Sequence, residues 1–440
     1  MPSMANDAQD EVRVLQRKLY RAAKQRRGRR FHALYDKVHR RDVLERAWRE
    51  VAAHGGAAGV DGVTIEAVRG RGVQEFLSGL EVELREGTYR PLAVRRVAIP
   101  KASGGERLLG VPAVRDRVVQ AATKLVIEPV FEADFLDCSF GFRPQRSARQ
   151  ARERVRTQIQ RERRHLVVDA DIKGFFDNLD RSILRRLLRE RISDRRVLGL
   201  IDAWLRAGVL ADGELMHPMA GTPQGGVISP LLANVYLHAL DRGWQERHWR
   251  LGQLTRYADD LVIACWQSRQ AQRAQQALAR LLAEFGLELS PEKTRIVDLN
   301  VAGEGFDFLG YHFRRLPVRR DPDRLYCACW PSQSAMDAAR QRIRELTPME
   351  RVGLPAIMVV QDINRFLKGW GAYFRHGNST QQFKALDHFV FERLARFVSR
   401  KHGKPGRGMG VHLLMSSDTR LGLHRLAGTV RYESAAHATR

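Results

Sequence analysis

Two hydrophobic rhythms run along this chain. Apolar residues that return every three or four positions mark helices, and strict alternation marks strands with one buried face. From Glu11 to Arg30 the helical rhythm holds, with Val12, Leu15, Leu19, Ala22 and Ala23 on one side. A second helix is predicted from about Arg41 to Ala53, closing in a turn-rich stretch at 55–62. Leu92–Pro100 alternates, Ser103-Gly104-Gly105 turns and Arg107–Val111 returns, which predicts a hairpin. A helix follows at about Arg115–Phe131. Between 166 and 313, short strands alternate with helices. The strands are Leu166–Ile172, Leu254–Tyr257, Leu261–Cys265 and Thr294–Leu299. The helices are about Arg181–Glu190, Val197–Ala207, Ser229–Arg242 and Gln267–Phe285. This order predicts an α+β fold with a split β-α-β sheet and helices on one face. Beyond 330 the pattern turns helical. Ile363, Phe366, Leu367, Trp370, Tyr373 and Phe374 make one apolar stripe, and Leu386, Phe389, Val390, Leu394, Phe397 and Val398 make another. Both are read as the core of a helical bundle.

Composition sharpens this picture. Hydrophobic residues make up 44% of 440, which suits a folded chain of two to four structural units. No apolar run approaches the ~20 residues of a membrane helix, and no secretory leader opens the chain. A cytoplasmic protein of the bacterial cytosol, associated with the nucleoid, is expected, with no membrane partner. Cys138, Cys265, Cys327 and Cys329 read as reduced thiols. Cys327 and Cys329 lack a second ligand pair at zinc spacing, and strand alternation explains them more simply. The net charge is +25, and Arg greatly outnumbers Lys. Such an excess points to a polyanionic partner, nucleic acid first, because the guanidinium fork matches phosphate oxygens. The first helix adds a run of almost one sign, from Arg13 through Arg26, Arg27, Arg29 and Arg30. That run favours a phosphate-facing arm over a plain solvated face.

Two places then carry acids that folding alone does not ask for. In Val167-Val168-Asp169-Ala170-Asp171, alternation puts both acids on one face at the end of a strand. In Tyr257-Ala258-Asp259-Asp260-Leu261, two acids share the tip of a hairpin. Carboxylates gathered this way repel unless a cation lies between them. Magnesium suits the task, since it takes carboxylate oxygens and leaves positions for substrate phosphates.

Together these blocks resemble the reverse transcriptases encoded by group II introns. The resemblance rests on Tyr257-Ala258-Asp259-Asp260, on 171–178 (Asp-Ile-Lys-Gly-Phe-Phe-Asp-Asn) and on 221–231 (Gly-Thr-Pro-Gln-Gly-Gly-Val-Ile-Ser-Pro-Leu). Ile99-Pro100-Lys101, Arg107, Ser139-Phe140-Gly141-Phe142-Arg143-Pro144, Glu292-Lys293-Thr294 and Phe308-Leu309-Gly310 follow in the family's order. Gly369-Trp370-Gly371-Ala372-Tyr373-Phe374-Arg375-His376-Gly377 resembles the maturase, or thumb, segment.

The resemblance implies a right-hand polymerase with a ferredoxin-like palm. Residues 1–80 would be a basic extension, 81–165 the fingers, 166–315 the palm, 316–400 the helical thumb and 401–440 a basic tail. It implies RNA-directed DNA synthesis with magnesium and deoxynucleoside triphosphates, on an RNA template with a DNA primer or target. It also implies binding of the intron RNA to assist splicing and retromobility. Asp171, Asp259 and Asp260 would hold the metal, joined by the Ile172 carbonyl. Lys293 would protonate pyrophosphate, although a surface lysine fits equally well. Lys101 and Arg107 would grip the triphosphate from two hairpin arms. Phe176 would exclude a ribose 2′ hydroxyl, or else be a core aromatic beside Phe175. Gln224 would meet the incoming nucleotide, with Tyr257 and Ala258 lining its site. Arg26, Arg27, Arg29, Arg30, Arg143, Gly310, Arg365, Lys368 and Arg375 would meet nucleic acid.

Residues 401–440 contain no cysteine, and their histidines lack nuclease spacing, so second-strand cleavage is not expected. The likeness is then to the short, endonuclease-lacking members. Two other readings stay open: a domesticated reverse transcriptase of DNA repair or phage defence, and an RNA-binding splicing factor that does not polymerise. Oligomeric state is not legible in the sequence.

Overall fold

The computed structural model describes residues 10–100, 106–211, 214–216, 225–403 and 422–431. Two compact units form, one from 1–151 with 168–296, the other from 152–167 with 297–440.

Helix α1 (Glu11–Gln25) starts where the Asp10 carboxylate accepts the Val12 and Arg13 N–H groups, and it buries Val12, Leu15, Leu19 and Ala23. It stops five residues short of Arg30. Phe31 pairs its backbone with Arg191 and Ser193, which pulls the chain out of the helix. Arg26, Arg27, Arg29 and Arg30 therefore lie exposed beyond the helix end rather than along its face. Helices α2 (Tyr35–Val38), α3 (Arg41–His54), α4 (Ile65–Arg71) and α5 (Val73–Glu86) follow. The rhythm of α4 and α5 escaped the sequence reading. Their punctuation was there in Thr64, which caps α4 through its hydroxyl, and in Gly87, which ends α5 in the left-handed region.

Strands β1 (Val94–Pro100) and β2 (Glu106–Val111) form the expected hairpin, from Arg95 opposite Val111 to Pro100 opposite Glu106. The predicted turn at 103–105 lies outside the described residues. Helix α6 (Val114–Glu132) is buried along most of its length, with α1 and α3 packed on it. Helix α7 (Ala148–Gln160) and strand β3 (Leu166–Asp171) come next, then α8 (Arg181–Arg189) and α9 (Arg195–Arg206). Short strands β4 (Val209–Ala211) and β5 (Glu214–Met216) extend the hairpin sheet in the order β2-β1-β4-β5.

Helix α10 (Ser229–Arg247), strands β6 (Gln253–Tyr257) and β7 (Asp260–Cys265), helix α11 (Ser268–Ala283) and strand β8 (Arg295–Asp298) follow. The sheet order is β6-β7-β3-β8. In order of appearance that is 2-3-1-4, the order of a split β-α-β sheet.

In the second unit, β9 (Gly305–Phe308), β10 (Tyr311–Val318) and β11 (Asp321–Pro331) make an antiparallel sheet in the order β11-β10-β9. Helices α12 (Gln333–Leu346), α13 (Ala356–Phe374) and α14 (Thr380–Lys401) form the bundle. Its core holds Ile363, Leu367, Phe374, Leu386, Val390, Leu394, Phe397 and Val398. Tyr373, read as core from its spacing, is 42% exposed. Cys327 and Cys329 are both buried on β11, and no metal-type cluster surrounds them among the described residues. No helix among those residues is long and apolar enough to cross a membrane.

Candidate active site

Strand β3 buries Val167, Val168 and Ala170 and leaves Asp169 and Asp171 half-buried. Its end is pinned by the 288–290 segment: Lys173 N–H donates to the Glu288 carbonyl at 2.9 Å, and Ser290 N–H to the Asp171 carbonyl at 2.8 Å. That junction delivers Lys293, whose Nζ donates to Asp171 Oδ2 at 2.8 Å. Arg295 Nε stands 3.6 Å from Asp169. Ile172 is buried and bridges to Leu289.

The second group of acids sits where β6 and β7 close, with Tyr257 opposite Asp260. Only Ala258 and Asp259 lie between them. Ala258 takes φ +56°, a left-handed conformation that costs an L-residue about 1 kcal/mol. Something must hold it there, and the fixture is Arg256.

Arg256 is wholly buried and uses every N–H of its guanidinium. Nε and Nη2 donate to the two oxygens of Asp241 at 2.8 and 2.5 Å. Nη2 also donates to Ser139 Oγ at 2.8 Å, and Nη1 to Asn234 Oδ1 at 3.1 Å and to the Ala258 carbonyl at 3.0 Å. Asn234 in turn donates to the Gly141 carbonyl at 2.8 Å. A Cβ on Gly141 would come within 2.4 Å of the Ala258 nitrogen, so glycine is required there. The Ser139-Phe140-Gly141 block and the acidic turn are thus one packed body. Gly225 has a similar reason to be glycine: φ is +113°, and a Cβ would meet the Gly110 carbonyl at 2.5 Å.

Asp260 stands at the open side of the turn, yet its carboxyl is pushed up to about 7. Crowding by protein comes first, then the charges of Asp259, Asp171 and Asp169, with Lys293 opposing. The acids of strand and turn therefore share one electrostatic site. Lys293 is raised in the opposite partnership, by its bond to Asp171 and the nearby acids. Among the described residues no three ligating side chains already close on a common point, and Asp171 is engaged by Lys293.

The remaining predicted residues divide. Phe175 is buried against Tyr236, whereas Phe176 is half-exposed with its ring 5.1 Å from that of Phe175. The Tyr257 ring lies 6.4 Å from that of Phe142. Lys101 and Gln224 lie outside the described residues, and for Arg107 only the backbone pairing with Ile99 is described.

Arg143 corrects an expectation. Its guanidinium is turned inward, paired with Glu132 at 2.6 Å, donating to the Leu136 and Ser139 carbonyls and stacked on Phe135. A side chain so enclosed fixes the loop before the Gly141 block and does not face RNA.

In the second unit, Leu309 (φ +53°) and Gly310 (φ +74°) form the turn between β9 and β10. Tyr311 Oη donates to the Tyr373 carbonyl, and Tyr373 Oη donates back to the Leu309 carbonyl at 3.0 Å. Buried Arg152 backs the Tyr311 ring and donates to the His376 carbonyl at 2.6 Å. Arg365 and Lys368 are exposed, and Arg375 is half-buried.

The sequence reading missed Arg256, Asp241, Asn234 and Ser139. A signal existed: a lone arginine inside an apolar strand needs a buried acid, and Asp241 lies on the apolar helix just before it.

Residues 99–313 match the family described as reverse transcriptase (RNA-dependent DNA polymerase). Residues 336–412 match the group II intron, maturase-specific domain. The chain is 36% identical over 292 residues to Protein YkfC of Escherichia coli K12, covering 58% of this chain and 76% of that protein. It is 37% identical over 213 residues to the group II intron-encoded protein LtrA of Lactococcus lactis subsp. cremoris, covering 48% of this chain and 35% of LtrA. A retron Mx65 reverse transcriptase from Myxococcus xanthus is 31% identical over 214 residues, covering 45% of this chain and 47% of that protein. The chain thus spans most of the first relative and about a third of the second.

Proposed function

The chain belongs to the group II intron reverse transcriptase/maturase family, and from that premise we propose how its residues divide the copying of RNA into DNA and the handling of intron RNA. One observation carries the reading: Asp171 on a strand end and Asp259 and Asp260 on a hairpin tip act on one another electrostatically, with Lys293 among them. The donor set is carboxylate oxygen throughout, which suits magnesium, and the like charges that raise Asp260 are relieved by a divalent cation. Asp171, Asp259, Asp260 and the Ile172 carbonyl would hold it. Magnesium, when bound, activates the primer 3′ hydroxyl and stabilises the leaving pyrophosphate.

The protein's own groups do the rest. Lys293, whose Nζ donates to Asp171 in this structure, would offer its proton to pyrophosphate. Lys101 and Arg107 hold the triphosphate. Phe176 excludes the ribose 2′ hydroxyl, a role its half-exposed ring suits better than Phe175 does. Gln224, Tyr257 and Ala258 line the nucleotide site. In this reading 81–165 act as fingers, 166–315 as palm and 316–400 as thumb. The basic segments at 1–80 and 401–440 serve RNA. The exposed arginines after α1, together with Gly310, Arg365, Lys368 and Arg375, meet RNA or primer–template in the cytosol.

Extension of a DNA primer on an RNA template, with deoxynucleotides and a magnesium titration, tests the reading directly. A preparation that binds intron RNA and stimulates its splicing, yet adds no nucleotide at any magnesium level, would place the protein among splicing factors instead.

A further inference from the structure

Folding has a use for most tryptophans of this chain. Trp48, Trp204 and Trp244 are buried, and Trp330 and Trp370 are half-buried. The remaining two, Trp249 and Trp266, are 55% and 50% exposed. An indole left half in water forgoes much of the stabilisation that its burial would give. One exposed tryptophan needs no explanation. These two, however, leave the same end of one hairpin. Trp249 shortly precedes Gly252, and Trp266 directly follows Cys265. A Cβ on Gly252 would meet Cys265 Sγ at 2.7 Å, so the two segments touch there. The side chain of Gln270 then spans them. Its amide oxygen accepts the Trp266 N–H at 3.3 Å, and its amide nitrogen donates to the Arg250 carbonyl at 3.5 Å.

The loop that carries Trp249 is fixed to α10. Buried Trp244 donates its indole N–H to the Gly252 carbonyl at 3.1 Å, and the Leu251 N–H donates to the His248 carbonyl at 2.9 Å. Arg250 lies over the Trp249 ring, 5.2 Å from its centroid. A guanidinium on one face of an indole leaves the other face for a second flat group. Arg269 and Arg273 are exposed one turn apart near the start of α11. Arginines alone would say little in a chain with a net charge of +25. Here they accompany two indoles, and from Arg247 to Ala283 the only acids are Asp259 and Asp260, at the other end of the hairpin. The acids just outside that stretch are engaged elsewhere: Glu284 pairs with Arg247 at 2.8 Å, and Glu246 lines a separate hollow beside His238 and Arg242. Trp266 comes six residues after Asp260, ~20 Å at the rise of a strand.

We propose that this end of the hairpin is a stacking platform for the unpaired bases of an RNA strand. The indoles of Trp249 and Trp266 take the bases, and Arg250, Arg269 and Arg273 take the phosphates. The platform shares no residue with the acidic centre. Aromatic rings set among guanidinium groups hold single strands without reading sequence, because every base has a flat face. A protein partner fits less well. Protein interfaces also use tryptophan and arginine, but they gather them around a largely apolar core. Between 247 and 283 no other large apolar residue is exposed. The choice of RNA over DNA rests on the maturase reading above, and the stacking does not.

The test uses the full chain. Binding of an unstructured oligoribonucleotide is measured against salt while an excess of short primed template fills the copying cleft. Trp249→Ala and Trp266→Ala should each weaken it by about tenfold, the worth of one stacked base. Neither removes a phosphate contact, so the log–log salt slope should stay. Arg269→Gln with Arg273→Gln should instead flatten that slope by roughly 1.4, at about 0.7 per contact on single strands. Blunt duplex RNA of equal charge, whose bases are already stacked, should respond to the arginine change alone. Trp249→Phe and Trp266→Phe keep a ring and should retain most of the affinity. Unchanged affinity in the double alanine variant, or an equal loss for duplex and single strand, would overturn the stacking. Complete displacement of the strand by primed template, or a matching fall in extension with the melting temperature kept, would assign the patch to the copying channel. Kept strand affinity with altered sedimentation would make it a contact between copies of the chain. Tighter binding of the same sequence as DNA would overturn the choice of RNA. Should the alanine variants not fold, the arginine pair still decides, and an unchanged slope there counts against the site. Extension by the wild type reports separately on the polymerase reading, so the two can fail independently.

Discussion

Two tight turns in this molecule hold residues in the left-handed region, and they are held by opposite means. The turn at Ala258 is fixed from beneath by a buried ion pair, Arg256 with Asp241, whose guanidinium reaches the Ala258 carbonyl. The turn at Leu309 and Gly310 is fixed from the side by two phenol hydroxyls that exchange hydrogen bonds with backbone carbonyls. The difference follows from what each turn carries. Adjacent acids push their own turn apart, and a neutral clasp does nothing against that repulsion. A guanidinium with every donor engaged gives both geometry and a positive charge felt by Asp259. The second turn bears no acid and needs geometry alone.

The largest effect should come from emptying the first turn of its purpose. Asp259→Ala or Asp171→Ala should abolish primer extension while leaving RNA affinity nearly intact. A lost metal ligand should cost several kcal/mol of transition-state stabilisation, and each ~1.4 kcal/mol is tenfold in rate. Robust extension by either variant would show that the acids are not the reaction centre.

Next comes the clamp itself. Arg256→Met leaves Asp241 buried and unpaired, and should destabilise the protein by about 3–5 kcal/mol. The pair Arg256→Met with Asp241→Leu removes both charges, and such replacements are often neutral. The double variant should therefore melt close to wild type. It should still extend primers at least about tenfold more slowly, at a higher magnesium requirement, because the Ala258 carbonyl is no longer held. That rate loss corresponds to ~1.4 kcal/mol or more. Recovery of both stability and rate would make the clamp mere scaffolding.

A charge network should also be sensitive to acid where a hydroxyl clasp is not. His238 lies on α10 between Asn234 and Asp241, its ring edge-on to Phe135 at 5.4 Å. Burial pushes its pKa down to about 4; Asp241 opposes the shift, and the charges of Arg242 and Arg256 add to it. The folded state thus prefers the neutral ring. Above the unfolded value near 6.5 the group costs nothing. As pH falls from 6.5 toward 4 the unfolded chain takes up the proton first, and stability drops by up to ~1.4 kcal/mol per unit. His238→Gln should lose less stability than wild type across that window, as read from denaturant midpoints at each pH. Parallel curves for the two proteins would show that His238 is not the sensor.

Much of this site was legible in order but not in attachment. The strand acids, the hairpin tip and the ladder 95–111 follow from alternation, which backbone geometry obeys locally. The sheet order also follows from element order. What the sequence hid were partnerships across distance. Arg143 looked like a nucleic-acid contact because its neighbours were motif residues, yet its fate was decided by Glu132 on the preceding helix. Arg26 to Arg30 looked helical because their spacing continued, yet the Phe31 pairing with 191–193 ended the helix. Tyr373 counted as core because it fell on the stripe, and its exposure reflects the clasp it makes with Leu309.

That clasp gives the smallest expected effect. Tyr373→Phe keeps the ring and deletes one donor, at a residue that already meets solvent. Water can take over the Leu309 carbonyl, so the loss should stay near ~1 kcal/mol or below. The reciprocal bond from Tyr311 to the Tyr373 carbonyl survives the change, and Gly310 tolerates its positive φ without help. If the turn only presents the primer end, the variant should raise KM for primed template about threefold and leave kcat within about twofold, a loss of uniform binding rather than of transition-state contact. Its melting temperature should shift by only a few degrees, and the shift should not change between pH 6.5 and 4, because phenol hydroxyls, which titrate near ~10, keep their protons throughout that range. A fall in kcat as large as that of the Arg256 and Asp241 double variant would mean that the second turn shapes the reaction centre as well, and the contrast between a charged clamp and a neutral clasp would no longer divide chemistry from positioning.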